Sequence, residues 1–463
     1  AVGKVREFSS NIPYAATDQV FIVKDVATLK EFAAQAATLE KDVLFVTDVD
    51  MTDEAWAPIE GYAKTVRGNG YAIKGLTASL FGTTSASIKG LHLRDIALVS
   101  NGNLIMGALA CTITATEEIN PKVEHCSVSG VSITVDNKDL NPTEDQKFIY
   151  ASMIGKMVGG IIDSCQSDAT VTVNQFTATG NTIAQTSYTG GLVGRLEPFT
   201  KSDASLICSE VHNSKSYGSV SYNDISNPST HRFTSYVGGL IGVVINSNTK
   251  VVIHNCENHA NVDITSNIKT LYLGGITSYA KGSSNFDNGS NCSNHGKITI
   301  KSGSYITTDL YLGGLYGLCN LFTANNCHNF GAIETEAGAK IKAFHIGGLI
   351  GQNTSESGTY SNDDCTNNAP IHYGASSPDK ISAGFSLAGI ISYSQGHLRR
   401  CTNNKEGTIT ITGNINTNGS RSTEASPKSG SYVIAGICGY KTVQTMNDCK
   451  NHADIIYSGT VTE

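Results

Sequence analysis

The sequence predicts an all-β fold: a right-handed single-stranded parallel β-helix with a small N-terminal α/β cap. Two phrases alternate along the chain. One is a glycine pair in an apolar stretch, as in Val237-Gly238-Gly239-Leu240-Ile241-Gly242 and Leu312-Gly313-Gly314-Leu315-Tyr316-Gly317. The other is a cysteine two residues before an asparagine: Cys256/Asn258, Cys292/Asn294, Cys327/Asn329, Cys365/Asn367, Cys401/Asn403 and Cys449/Asn451. Successive cysteines lie 36, 35, 38, 36 and 48 residues apart. A steady period of that size is the mark of a solenoid, in which each repeat packs only on its neighbours.

Residues 1–47 read as the cap. Val20-Phe21-Ile22-Val23 has strand character, and Asp25 can cap a helix whose Val26, Leu29, Phe32, Ala33 and Ala36 share one face. Val43-Leu44-Phe45-Val46 returns to strand. A solenoid leaves raw strand edges at its ends, and an atypical terminal unit covers them. Residues 48–463 then read as about nine to ten coils, each adding ~4.8 Å.

One repeat shows the expected coil. Val251 to Cys256 is a strand, Asn258-His259 a corner, Asn261 to Thr265 a second strand, Ser266-Asn267 a corner, and Leu271 to Thr277 a third strand. Tyr279 to Asn291 is a variable connection, and the longest insertions, Ser221 to Ser235 and Thr417 to Ser431, are expected in that third connection. The cysteines are expected to form an inward ladder of reduced thiols acting as small apolar fillers. The asparagines are expected at left-handed corners, bonding amide to amide between coils.

Composition bounds function. The chain has 463 residues, 47 glycines, 9 prolines, 16% charged residues and a net charge of −7. With no basic stripe, nucleic acid is not an expected partner. No apolar run approaches the ~20 residues of a membrane span. The chain opens Ala1-Val2-Gly3-Lys4 without an initiator Met, which reads as a mature or trimmed sequence. Past the strand Asp454 to Tyr457, the C-terminal edge is expected to meet another subunit, another domain or a short strand return.

Four constellations carry residue types capable of chemistry or binding. Tyrosine recurs two residues before the glycine pair (Tyr188, Tyr236, Tyr272, Tyr311), with His345, Ser386 and Val433 in later coils. If the position faces outward, it makes an aromatic column on a flat face, a platform for a linear glycan. The simpler reading is tyrosines stacked on each other across strands. His259, His295 and His452 share one corner; without a matching carboxylate or thiol, they read as solvated corner residues rather than metal ligands. Asp363-Asp364 on one strand should point apart, and Asp48 with Asp50 belongs to the entry region. Nucleophile, phosphate and zinc-finger motifs are absent from the sequence. No cofactor and no metal are expected.

The pattern Gly-Gly-Leu-hydrophobic-Gly followed by Asn-Cys-x-Asn-x-Gly-x-Ile resembles the GLUG-type repeats of large bacterial surface proteins, most closely over residues 186–457. Asp48 to Met51, Trp56 to Ile59, Gly68 to Leu76 and Leu80-Phe81-Gly82 are similar to the entry region of surface β-helices of gut Bacteroidetes. The resemblance implies an exported, often lipid-anchored surface protein and carries over no catalytic residue. Some proteins with these repeats are zinc proteases, but this sequence contains no His-Glu-x-x-His. The expected function is a non-catalytic surface or secreted module, adhesin-like or glycan-binding, with a glycan or host surface ligand. A β-helix carbohydrate-active enzyme is the alternative.

Overall fold

The computed structural model describes residues 20–100, 102, 104–136, 147–175, 185–224, 233–245, 252–282, 289–355, 360–376, 385–416, 432–441, 445–459 and 461–462. The first described elements are β1 (Val20–Val23), α1 (Val26–Gln35) and β2 (Asp42–Phe45). Asp25 caps α1: its carboxylate accepts from Thr28 N at 2.8 Å, and the Thr28 hydroxyl accepts from Asp25 N at 3.1 Å. That reciprocal pair satisfies two otherwise orphaned donors. The apolar stripe turns Leu29 and Phe32 inward, and the Phe32 ring stands edge-on to Tyr62 at 4.9 Å. The helix thus closes the N-terminal end of the core. β1 pairs in parallel with β2, and β2 with Thr65–Arg67, so the cap strands begin the first sheet of the solenoid.

Beyond the cap, parallel strands stack coil upon coil to form a parallel β-helix. In the coil that starts at Val252, Val252–His254 lies in a 13-stranded first sheet. Glu257–Asn258 and then Asn261–Gly274 follow; the latter is one 14-residue strand that runs through the second and third sheets. Thr277–Lys281 lies in a 10-stranded fourth sheet. Register is strict: Val262 sits on Ile298, Leu271 on Leu310, Gly274 on Gly313 and Thr277 on Tyr316.

Two sequence expectations need correction. The stretch from Leu271 to Thr277 is not one strand, because the glycine pair divides it between the third and fourth sheets. A Cβ at Gly274 would strike the Thr277 carbonyl, so this coil needs glycine there, although Ala151, Ala388 and Ala435 hold the same register position in other coils. Tyr279 accordingly lies within a strand. The insertion assigned to Ser221–Ser235 is also misplaced. Ser219–Asp224 and Phe233–Gly238 are the second- and third-sheet strands, so the extra residues fall between those two sheets. Thr417 to Ser431 lies outside the described residues.

The interior holds two ladders. Cys256, Cys292, Cys327, Cys365 and Cys401 are buried and free, and Cys449 is partly buried in the last coil. Each thiol donates to the carbonyl two residues before it; Cys292 Sγ lies 3.3 Å from Ser290 O and 3.3 Å from Ile253 O of the coil before. The ladder also extends below the repeats the sequence singled out, through Cys126 and Cys165. Ser214 stands in for a thiol in between, its hydroxyl donating to His212 O at 2.7 Å. Burial pushes the Cys165 thiol of this ladder far above its ordinary range, so it stays protonated.

Beside the thiols runs a column of carboxamides. Asn258 Nδ2 donates to Asn294 Oδ1 at 2.8 Å. The same bond recurs at 2.9 Å from Asn294 to Asn329, Asn329 to Asn367, Asn367 to Asn403 and Asn403 to Asn451. Each amide also clasps its own chain: Asn294 Nδ2 donates to Gly296 O at 3.0 Å, and Asn294 Oδ1 accepts from Gly296 N at 3.2 Å. At Asn294 and Asn329 all four bonds of a buried carboxamide are thereby made. This column explains the glycine pairs. A Cβ built on the second glycine of the pair, or on the lone glycine after Ala388 or Ala435, would fall closer than 3.0 Å to an amide: Gly239 to Asn258, Gly275 to Asn294, Gly314 to Asn329, Gly348 to Asn367, Gly389 to Asn403 and Gly436 to Asn451. The two repeated phrases are the two halves of one contact.

These asparagines are not the left-handed residues. That backbone belongs to the residue before each cysteine, with φ near +50° at Asn213, Asn255, Asn291, Asn326, Asp364, Arg400 and Asp448. The asparagine side chain points inward to the column, and the left-handed turn comes three residues before it, just ahead of the cysteine. In the last coil, Ile434, Met446, Ile455, Ile456 and Tyr457 are exposed.

Candidate functional site

The sharp glycine corner folds the outer faces of the third and fourth sheets toward each other. The cross-section is notched, and the notch forms an external furrow along the solenoid. Ile149 and Tyr188 of the third sheet and Val243 of the fourth form a buried cluster separate from the main core, with Ile105, Tyr236, Ile245 and Tyr279 packed against it. The third glycine of the repeat makes room for these side chains: a Cβ at Gly194 would strike Ile149 Cγ2.

The recurrent tyrosines line this furrow. Tyr188, Tyr236, Tyr272 and Tyr311 stand in register with one another, and His345, Ser386 and Val433 continue the row. Their rings stack at 5.1 Å (Tyr188–Tyr236), 4.5 Å (Tyr236–Tyr272) and 4.8 Å (Tyr272–Tyr311), and His345 stacks on Tyr311 at 5.4 Å. The column therefore faces outward, but into a furrow rather than onto a flat wall. Its ring faces are occupied by one another, so sugar rings cannot stack on them. The first ring is covered by Arg195, whose guanidinium carbon lies 4.9 Å from the Tyr188 centroid. What the column offers a ligand is ring edges and phenol hydroxyls, one per coil. Burial raises the Tyr236 and Tyr272 phenols far above their ordinary range and pushes Tyr311 up to about 12, so all three are neutral donors at physiological pH. Tyr279, Tyr393 and Tyr440 add a second row from the fourth sheet, with Tyr279 6.1 Å from Tyr236 and 6.0 Å from Tyr272. Burial lowers the His345 imidazole to about 4, so it is uncharged at neutral pH.

Charge enters the furrow at its N-terminal end. Arg195 Nε donates to Glu197 Oε2 at 2.9 Å, and Lys156 Nζ pairs with Glu197 Oε1. No sequence motif signals this group. It arises because the outward fourth-sheet position carries Lys156 in one coil and Arg195 in the next, in register.

The other candidates lie elsewhere. His259 and His295 stack at 4.5 Å in a corner column between Tyr217 and Phe330. Their nitrogens bond Glu257 at 2.8 Å and Ser293 at 3.0 Å, which leaves the two rings parallel rather than converging on a point. His452 occupies the same corner two residues after Lys450 in the last coil. No cluster of three or more metal-ligating side chains occurs among the described residues. Asp363 and Asp364 do converge, against the alternation expected of a strand, because Asp364 is the left-handed residue. Arg400 lies 2.6 Å from Asp364 and 3.8 Å from Asp363. Asp48 accepts from Ala72 N at 2.8 Å and Asp50 pairs with Lys74 at 2.8 Å, which lowers Asp50 to about 2. Both fix the entry coils. A group the sequence did not suggest lies on the outer face of the first sheet. Glu210 bonds His212 at 3.0 Å, the His254 ring stands edge-on to His212 at 5.6 Å, and His254 Nε2 is buried without a hydrogen-bond partner. No described helix is long and apolar enough to cross a membrane.

No family model matches this chain, and no curated protein matches it. Among solved structures it is similar to one titled a putative immunoglobulin A1 protease from Bacteroides ovatus. The identity is 14%, the match covers 62% of this chain and 78% of that one, and the TM-score is 0.44.

Proposed function

We propose that this chain is a non-catalytic, exported binding module whose ligand is a glycan lying along the furrow between the third and fourth sheets. The observation that carries this reading is the external apolar cluster. Tyrosine edges and neutral phenol donors repeat once per coil there, matching a ligand that is itself a linear repeat. Pockets that combine apolar walls with a few fixed polar groups are the usual form of a small-ligand site. The likeness of the repeats to those of exported surface proteins supports a place outside the cell. A glycan array beside a reducing-end release assay tests it. Retention without turnover, weakened about tenfold or more by Tyr272→Ala, is the expected result. Retention unaffected by Tyr236→Ala and Tyr272→Ala would remove the furrow from consideration.

A second reading, a carbohydrate-active enzyme, is favoured by one observation: the Glu210–His212 pair with His254 beside it, which could accept and donate a proton. The release assay decides between the two. Turnover abolished by Glu210→Gln would establish the enzyme.

A further inference from the structure

We infer that the furrow's ligand carries carboxylates, and that Arg195 with Lys156 holds one of them. This rests on the furrow being the binding face. Lys156, Arg195 and Glu197 line the furrow beside the tyrosine column, with side chains 25%, 12% and 19% exposed. Two cations therefore share one carboxylate in a largely desolvated place. Their ion pairs among the described residues both go to Glu197. The walls nearest them, Ile149, Tyr188 and Val243, are buried and supply no anion. Surplus positive charge taken out of water is costly unless an anion compensates it. The protein carries that surplus at the N-terminal end of the furrow, several coils away from Asp309, the carboxylate that stands beside Tyr272 and Tyr311 and whose pKa burial raises.

The geometry suits a carboxylate. Arg195 presents Nε and one Nη to Glu197, at 2.9 Å and 2.8 Å, and lies over the face of Tyr188, which fixes the plane of its guanidinium. Its other donors remain for a second planar acceptor. Arginine binds carboxylates through such a fork, and a desolvated site strengthens the bond. Lys156 adds a point charge one coil below. A linear glycan whose sugars bear carboxylates would put one acid group against this pair and its hydroxyls against the phenols of Tyr236, Tyr272 and Tyr311.

The test uses the full chain against paired oligosaccharides of one backbone, in free-acid and methyl-ester forms, by calorimetry at low and moderate salt. The panel includes hexuronate oligomers and sialylated glycans, which separates the two common sources of a sugar carboxylate. The expected result is that at least one free acid binds about tenfold or more tighter than its ester. That preference should disappear in the Arg195→Gln/Lys156→Gln double variant, with neutral contacts retained. Glu197→Gln frees both cations and should tighten acid binding severalfold, a gain that misfolding cannot mimic. Equal binding of acid and ester, or a preference that survives the double variant, overturns the inference while leaving the furrow as a neutral-glycan site. Binding of no glycan at all overturns both readings.

Discussion

Two columns of asparagine climb this solenoid only three residues apart in sequence, and they do opposite work. The inner column is buried against the glycines from Asn258 to Asn403, reaches the surface at Asn451, and makes every bond a carboxamide can make at Asn294 and Asn329. The outer column, Asn213, Asn255, Asn291 and Asn326, sits in water at left-handed turns; each side chain bonds the one below, as Asn291 does with Asn255 at 3.0 Å. Above Asn326 the outer position changes freely to Asp364, Arg400 and Asp448, while the inner position stays asparagine through all six coils. The inner place demands one shape and one set of donors and acceptors. The outer place demands only a tolerable left-handed backbone, and any bond it makes competes with water.

The contrast can be attacked by substitution, with urea unfolding followed by circular dichroism. The largest effect is expected at the glycine that receives the inner amide. Gly314→Ala puts a methyl into the Asn329 carboxamide and the Gly348 carbonyl, and should cost about 3 kcal/mol or more, or prevent folding. Next is Asn294→Ala. It strands a donor on Asn258, an acceptor on Asn329 and the carbonyl of Gly296, whose N–H keeps only its 3.3 Å bond to Asn258 O, for about 3 kcal/mol. A third effect belongs to the furrow. His345 is held near 4 when folded, against ~6.5 when unfolded. The unfolded chain binds its proton first, so stability is full above about pH 6.5 and falls as pH drops toward about 4. The loss approaches about 2–3 kcal/mol and should be flattened by His345→Gln. The smallest effects should be in the outer column. Asn291→Ala costs about 1 kcal/mol through left-handed strain, and Asn291→Gly almost nothing. If Asn291→Ala proved as damaging as Asn294→Ala, the division between the columns would be wrong.

The strand stacking was legible because the Cys-x-Asn spacing hardly varies from Cys256 to Cys401, and a fixed period leaves little choice of register. Cys126 and Cys165 escaped notice because the position two residues on holds Val128 and Ser167, so the motif is broken although the thiol is in place. The furrow was hidden for a different reason. Leu271 to Thr277 is apolar on both sides of the glycines, and a run of that kind reads as one strand. Nothing local says that its outer face will close on itself. The glycine at the bend packs against the amide of an asparagine 14 to 19 residues further on, a contact that spacing alone does not reveal. The arginine–lysine pair was illegible too: Lys156 and Arg195 are ordinary surface residues until register sets one above the other.

The inner column has a direction. In every amide-to-amide bond of the column the hydrogen points from one coil to the next in chain order, so these bond dipoles add along the axis instead of cancelling, and each bond polarises its neighbours. In this respect the row behaves like the backbone of an α-helix, with its partial positive pole at the last coil. The water-exposed row runs the opposite way and is screened. The solenoid therefore carries an electrical polarity through its dry interior that its formal charges do not reveal.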